Sequence, residues 1–168
     1  LFIKEHGIEK LEEFGIGARR HNGLVCLTYS QIDSPKTHSI VKECRGLILH
    51  EDTLTVVCRP FDRFFNYGEV GTDKLAKELL QFFPKEDGTL IKLYFWDNQW
   101  NIATKSTVVA DAKVSTSYGG QKDFSFEQLC HRAFGIPQWN KNEQLVENRV
   151  QVTELLNEHK LRPDYTYL

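Results

Sequence analysis

Leu47-Ile48-Leu49-His50-Glu51-Asp52-Thr53-Leu54-Thr55-Val56-Val57-Cys58-Arg59 is the stretch that decides the fold class. Two aliphatic and β-branched runs flank three polar residues, the pattern of a β-hairpin with a short turn. With the turn centred on Asp52, Arg45 falls roughly opposite Arg59 at the open end, and Pro60, which has no backbone donor, ends the strand. Upstream, Leu24 to Tyr29 reads as another strand, and Glu5 to Phe14 as a short helix with Ile8, Leu11 and Phe14 on one face. Downstream, Thr89 to Trp96, a turn at Asp97-Asn98-Gln99, and Trp100 to Thr107 form a second hairpin that returns Lys105 towards Ile91.

Three further helices are expected. Thr72 can cap one from Asp73 to Phe83, with Leu75, Leu79, Leu80 and Phe83 towards the core. Ser125 caps a second, with Gln128 completing a capping box and Gly135 stopping it before Pro137. The last runs from about Lys141 to His159. Strand pairs joined by short turns, with helices between them and no regular βαβ alternation, give an α+β fold with antiparallel sheets and flanking helices.

The 168 residues suffice for one domain, and 40% apolar residues suffice for its core. Eleven Phe, six Tyr and three Trp exclude a disordered chain. A net charge of −2 excludes binding to nucleic acid through an overall basic field, so any such contact must come from a local cluster. Cys26, Cys44, Cys58 and Cys130 show neither C-x-x-C spacing nor a Cys/His grouping, which points to reduced, buried thiols of a cytoplasmic protein. No apolar run is long enough to span a membrane. The chain contains no methionine, begins at Leu1, and closes on the strand-like Asp164-Tyr165-Thr166-Tyr167-Leu168, so it reads as a fragment.

Lys85-Glu86-Asp87-Gly88 is by itself an ordinary turn with its lysine in water. Its company changes the reading. Glu43-Cys44-Arg45-Gly46, then Arg59-Pro60-Phe61-Asp62-Arg63-Phe64-Phe65-Asn66, then Lys85-Glu86-Asp87-Gly88-Thr89-Leu90 together resemble the T-even phage type of RNA ligase (the RNA ligase 1 family), a member of the covalent nucleotidyltransferases. The likeness spans roughly residues 40 to 107.

That resemblance implies the adenylation domain of an ATP-dependent ligase, with residues 1–168 its N-terminal part. It implies an RNA ligase of RNA repair, which joins a 5′-phosphate RNA end to a 3′-hydroxyl end through a lysine–AMP intermediate and an adenylated RNA end. ATP and Mg²⁺ are the implied cofactors and RNA ends the partners, with no membrane and no obligate protein partner. Lys85 would be the nucleophile, with Arg45 and Lys105 as further catalytic residues. Arg45, Arg63, Phe65, Glu86, Asp87, Gly88 and Lys105 would hold the nucleotide, and no metal-ligand set is identifiable. Arg63 departs from the family, which has lysine there. Later family elements, with the carboxylates that contact ribose and metal, are not in the chain; Leu161 to Leu168 resembles the run-up to the first of them.

The residues' own chemistry agrees. A lysine at its ordinary pKa of about 10.4 is not a nucleophile at neutral pH. Cations brought near it lower that value and also bind triphosphate. The expectation is that Arg45, Arg59, Arg63 and Lys105 converge on Lys85 at the head of a buried strand. The competing reading pairs Arg45 and Arg59 with Glu43 or Asp62 on a solvated strand end. Of Phe64, Phe65 and Tyr67, which could stack on a base, at least two are expected in the core. His131 reads as a structural histidine, Gly15-Ile16-Gly17 as no dinucleotide loop, and Arg19-Arg20-His21 as a solvated loop. A non-catalytic nucleotide- or RNA-binding remnant, a DNA ligase and a capping-type nucleotidyltransferase stay open as alternatives.

Overall fold

The strand Leu24–Tyr29 (β2) and the strand Arg45–His50 (β3) are apolar almost throughout because both of their faces are covered. An antiparallel strand with only one covered face would alternate; these do not. In the computed structural model, which describes residues 2–72, 81–85, 87–114, 124–135 and 149–168, they form the middle of a four-stranded antiparallel sheet. Ile16–His21 (β1) and Val56–Cys58 (β4) are its edges. On one face, Val25, Leu27, Leu47 and Leu49 pack against Ile8, Leu11, Val41 and Cys44. These partners come from the N-terminal segment and the short helix Ser39–Glu43 (α2). The N-terminal segment is not one helix. Gly7, at φ +82, separates Phe2–His6 (α1) from a 3₁₀ helix at Glu9–Phe14.

The other face carries Leu24, Cys26, Ile48 and Cys58, covered by Tyr94 and Ala103 of the second hairpin together with Val108 and Val109. That hairpin, Ile91–Trp96 (β5) and Gln99–Thr104 (β6), turns at Asp97 and Asn98, both at positive φ, as a two-residue turn of this hand requires. Ile91 pairs with Thr104, so Lys105 returns to the head of β5 as the spacing indicates. The hairpin's far side is closed by helices. Trp100 packs on Val152 and Leu156 of Arg149–Glu158 (α4), and its indole N–H donates to Asn157 Oδ1 at 3.1 Å. Ile102 packs near Cys130 of Phe126–Ala133 (α3). Tyr167 exchanges two backbone hydrogen bonds with Leu93, which gives the strand-like closing run its partner.

The α+β class with antiparallel sheets is therefore observed, in four layers: N-terminal segment, sheet, hairpin, helices. Several details differ from the sequence reading. Ile48 stands opposite Cys58, two residues nearer the turn than Gly46, which a turn centred on Asp52 would place there, so Arg45 and Arg59 are not directly opposite each other. Arg19-Arg20-His21 is not a loop but the end of β1, whose Arg20 pairs with Glu9 and Glu51. A small pair, Lys113–Val114 (β7) with Phe124–Ser125 (β8), carries no hydrophobic signature of its own. Residues 73–80 of the expected helix after Thr72 and residues 141–148 of the last one lie outside the described residues, and residues 81–85 have no regular structure.

Ser125 does cap α3. Its hydroxyl accepts from Gln128 N–H at 3.2 Å, Gln128 Oε1 accepts from Ser125 N–H at 2.8 Å, and Gly135 ends the helix at φ +77. Ser125→Ala is expected to cost about 1 kcal/mol of unfolding free energy, read by urea titration.

Candidate nucleotide site

Gly46 is where the sheet is bent to make a site. Leu27 pairs with Leu47 and Thr28 with Arg45, so Gly46 is an extra residue, a bulge, at φ +98. The bulge sets Arg45 at the sheet's end, where its guanidinium lies 4.6 Å from the centre of the Phe64 ring. Across from it, the chain leaving β6 tightens into a turn. Thr107 Oγ1 accepts from Thr104 N–H at 3.1 Å and lies 2.8 Å from Thr104 Oγ1, which fixes Lys105 and Ser106 between them.

Between these two ends lies a cavity of about 380 Å³, bounded by Arg45, Pro60, Thr89, Leu90, Lys105 and Ser106, with Lys92 in its floor. Among the described residues, three cationic side chains and no carboxylate line it. Such a lining, with hydroxyls beside it, is suited to a polyanion and in particular to phosphate oxygens.

Arg63 stands beside the cavity. Its Nη1 donates to Tyr29 Oη at 2.9 Å, and its guanidinium sits between the Tyr29 ring at 5.2 Å and the Phe65 ring at 5.0 Å. Lys105 approaches the same tyrosine ring at 4.9 Å. Burial pushes the Tyr29 phenol up, but the Arg63 hydrogen bond and the charges of Lys105 and Arg63 outweigh it and leave it below the ordinary tyrosine value. Arg63 Nε is buried with no hydrogen-bond partner among the described residues, so the group is held by ring stacking together with the Tyr29 hydrogen bond and an ion pair from Nη2 to Glu69 at 3.8 Å. A planar cation suits that sandwich and an ammonium does not. Arg63→Lys is accordingly expected to cost about 1 kcal/mol in urea unfolding, although it restores the family's residue.

Lys85 is on a different footing. Its side chain is 89% exposed, and its amine lies 3.3 Å from Asp87 Oδ1. Gly88 follows at φ +144, a region that favours glycine, and Thr89 and Leu90 then enter the cavity wall. The full convergence of four cations on Lys85 is not seen. Arg45 and Lys105 share the cavity, Arg63 packs under Tyr29, and Arg59 pairs with Glu43 at 4.0 Å and Asp62 at 3.2 Å. Glu86 lies outside the described residues. Phe65 is half-buried, but Phe64 and Tyr67 are 67% and 87% exposed, so two of the three aromatics are at the surface and not in the core. Exposed aromatic faces next to cations are the arrangement that stacks bases.

The sequence reading passed over Tyr29 and Lys92. The signal for Lys92 was a single lysine inside Leu90-Ile91-Lys92-Leu93-Tyr94-Phe95-Trp96, an otherwise apolar run. The thiols offer no nucleophile. All four cysteines are free and buried, and burial holds Cys44 up at about 12 and Cys58 at about 11, so neither ionises at neutral pH. His131 is buried on α3, with Nε2 at 4.0 Å from Glu127, as a structural histidine should be. No helix among the described residues is long and apolar enough to cross a membrane.

Comparison with known proteins bears on this arrangement. A protein named as a bifunctional polynucleotide kinase/RNA ligase in Autographa californica nuclear polyhedrosis virus is 40% identical over 98 residues, a match covering 52% of this chain. The chain spans 14% of that protein's length. The sequence profile described as RNA ligase matches residues 43–165, from the first residue of Glu43-Cys44-Arg45-Gly46 to the segment paired with β5. One of the sheet's two central strands (β3), the whole second hairpin and every described residue that lines the cavity fall inside that match, and the chain belongs to the T4-type RNA ligase family.

Proposed function

We propose that this chain is the nucleotide-binding part of a covalent nucleotidyltransferase domain, and that it joins RNA ends at the expense of ATP. The observation that carries the reading is the cavity lined by the cations Arg45, Lys92 and Lys105, with the Lys85 tetrad leading directly into its Thr89-Leu90 wall.

In this reading Lys85 Nζ attacks the α-phosphorus of ATP. The P–N bond forms, the bond to the β-phosphate oxygen breaks, pyrophosphate leaves, and the amine's proton passes to solvent. A 5′-phosphate oxygen of RNA then displaces Lys85 from the adenylate. A 3′-hydroxyl finally attacks the 5′-phosphorus, forms the phosphodiester and releases AMP. Arg45 and Lys105 bind the triphosphate and offset the charge that builds on the transferring group. Arg63 and Phe65 support the wall that carries Lys105 and Tyr29, while Asp87 and Gly88 shape the turn that presents Lys85. Glu86 is proposed as a further nucleotide contact. Mg²⁺, bound through the phosphate oxygens, would neutralise part of their charge and suits a site whose own lining is cationic. Such a reaction belongs in the cytoplasm, in keeping with four unpaired cysteines.

The exposure of Lys85 favours a second reading, a nucleotide- or RNA-binding module without chemistry. One assay separates the readings. The full-length protein is incubated with α-labelled ATP or GTP and Mg²⁺, then offered 5′-phosphorylated RNA or DNA. An acid-labile adduct from ATP on Lys85 and joining of RNA support the ligase. Label from GTP points to capping chemistry, joining of DNA alone to a DNA ligase, and ATP binding with no adduct to the remnant.

A further inference from the structure

Lys92 is 1% exposed and lies between the two sheets. It is on the hairpin face that carries Tyr94, yet the other side chains of that layer are apolar or thiol: Leu24, Cys26, Ile48, Cys58 and Ala103. Its ammonium has three N–H donors. They meet the Gly46 carbonyl at 2.7 Å, the Thr107 carbonyl at 3.4 Å and Cys26 Sγ at 3.8 Å. All three partners accept. Two of them, Gly46 and Thr107, belong to the two segments that carry Arg45 and Lys105, on opposite sides of the cavity.

The two segments also touch directly. A Cβ built on Gly46 would lie 2.3 Å from the Lys105 carbonyl oxygen, so the bulge and the turn after β6 are in backbone contact at this point. Lys92 Nζ, 3.2 Å from the same position, holds that contact from below. We propose that Lys92 is a positioning residue of the nucleotide site, clasping the Gly46 bulge to the 104–107 turn so that Arg45 and Lys105 are spaced for a triphosphate.

The energetics favour a role in the site over a role in stability. Burial pulls the Lys92 amine below the ordinary lysine value, with the Cys26 and Cys58 thiols offsetting part of that effect, so burying this charge opposes folding. An unbranched apolar side chain of similar volume would fill the same space, and replacing buried charges in this way is often neutral or stabilising. A lysine here therefore serves the cavity, whose floor it forms, better than it serves the core.

The proposal rests on the nucleotide-binding reading, and its test keeps the two apart. Equilibrium binding of ATP is measured on the full-length protein carrying Lys85→Ala, which removes the covalent step. In that background Lys92→Met is expected to weaken ATP binding about tenfold while the melting temperature stays level or rises. Lys105→Ala also weakens binding, and the double variant is expected to be little worse than the poorer single one, because Lys92 acts through the Lys105 turn. Should Lys92→Met not fold, Lys92→Gln takes its place in the same cycle, since its amide still offers N–H donors but is one bond too short to span both carbonyls; it is expected to weaken binding at least threefold, again without adding to Lys105→Ala. Unchanged ATP affinity in a folded Lys92 variant overturns the proposal, and so does an effect that adds in full to Lys105→Ala. Failure of the ligase reading looks different: no adduct forms on Lys85 in the unmodified protein, whatever Lys92 does to ATP binding.

Discussion

Full-length protein carrying Lys85→Ala is expected to form no acid-labile nucleotide adduct and to lose RNA joining by roughly 10³-fold or more, the scale on which loss of a covalent nucleophile is felt. The fold should not register the change. The Lys85 side chain stands in solvent, and its neighbour Asp87 is as exposed as it is. An ion pair of that kind contributes little, and a surface substitution usually moves stability by less than about 0.5 kcal/mol. Lys85→Arg should be as inactive as Lys85→Ala, because a guanidinium keeps the charge but is not a nucleophile at neutral pH. The decisive comparison uses RNA adenylated in advance at its 5′ end. Joining that substrate makes no bond to lysine, so Lys85→Ala should retain it within about tenfold of the unmodified protein, whereas a collapsed nucleotide site would lose both reactions. An adduct that survives Lys85→Ala would remove Lys85 from the nucleophile's role.

How far the sequence foretold this arrangement depends on what kind of information each element needs. β2 and the β5–β6 hairpin were legible because their signals are local: an apolar run, and a polar turn between two β-rich runs. The α3 cap was legible because Ser125 and Gln128 act within one turn of helix. The family membership was legible for a similar reason, since it rides on short motifs in order. What failed was register and partnership across distance. The Gly46 bulge and the irregularity between Ile48 and Leu49 shift the pairing of β3, and no residue count around Asp52 contains them. Arg19-Arg20-His21 reads as a solvated loop because it is the polar end of an edge strand, Ile16–His21, with one wet face; only pairing with β2 makes it a strand. Arg63 and Lys105 were each legible as cations, but their meeting on Tyr29, from three separate segments, was not. Lys92 fits the same account. A polar residue in a strand is ordinarily read as solvent-facing, and the second sheet lying over it is a fact of the tertiary fold.

Gly46→Ala should be the most damaging small substitution in the cavity's frame, and it can be argued from two separate costs. The first is conformational: at φ +98 an L side chain is strained, by about 1–3 kcal/mol. The second is steric. The new methyl would stand 2.3 Å from the Lys105 carbonyl oxygen and 3.2 Å from its carbonyl carbon, and these are backbone atoms that cannot swing aside as a side chain would. Either the bulge straightens, which turns Arg45 away from the cavity, or the 104–107 turn lifts, which carries Lys105 off and breaks the 2.7 Å bond from Lys92 to the Gly46 carbonyl. Both routes separate the cations that wall the site. The expected result is a loss of roughly 3 kcal/mol in urea unfolding, with adduct formation down about 100-fold, each 1.4 kcal/mol of lost transition-state stabilisation being a factor of ten. Gly23→Ala supplies the comparison. Gly23 is also at positive φ, +72, but a Cβ there meets nothing within 4 Å. That variant carries only the conformational cost, about 1 kcal/mol, and should form the adduct at nearly the unmodified rate. The difference between the two alanines isolates the contact between the bulge and the turn. Should they prove equal in stability and in adduct formation, the close approach of Gly46 to Lys105 is not what holds the cavity together.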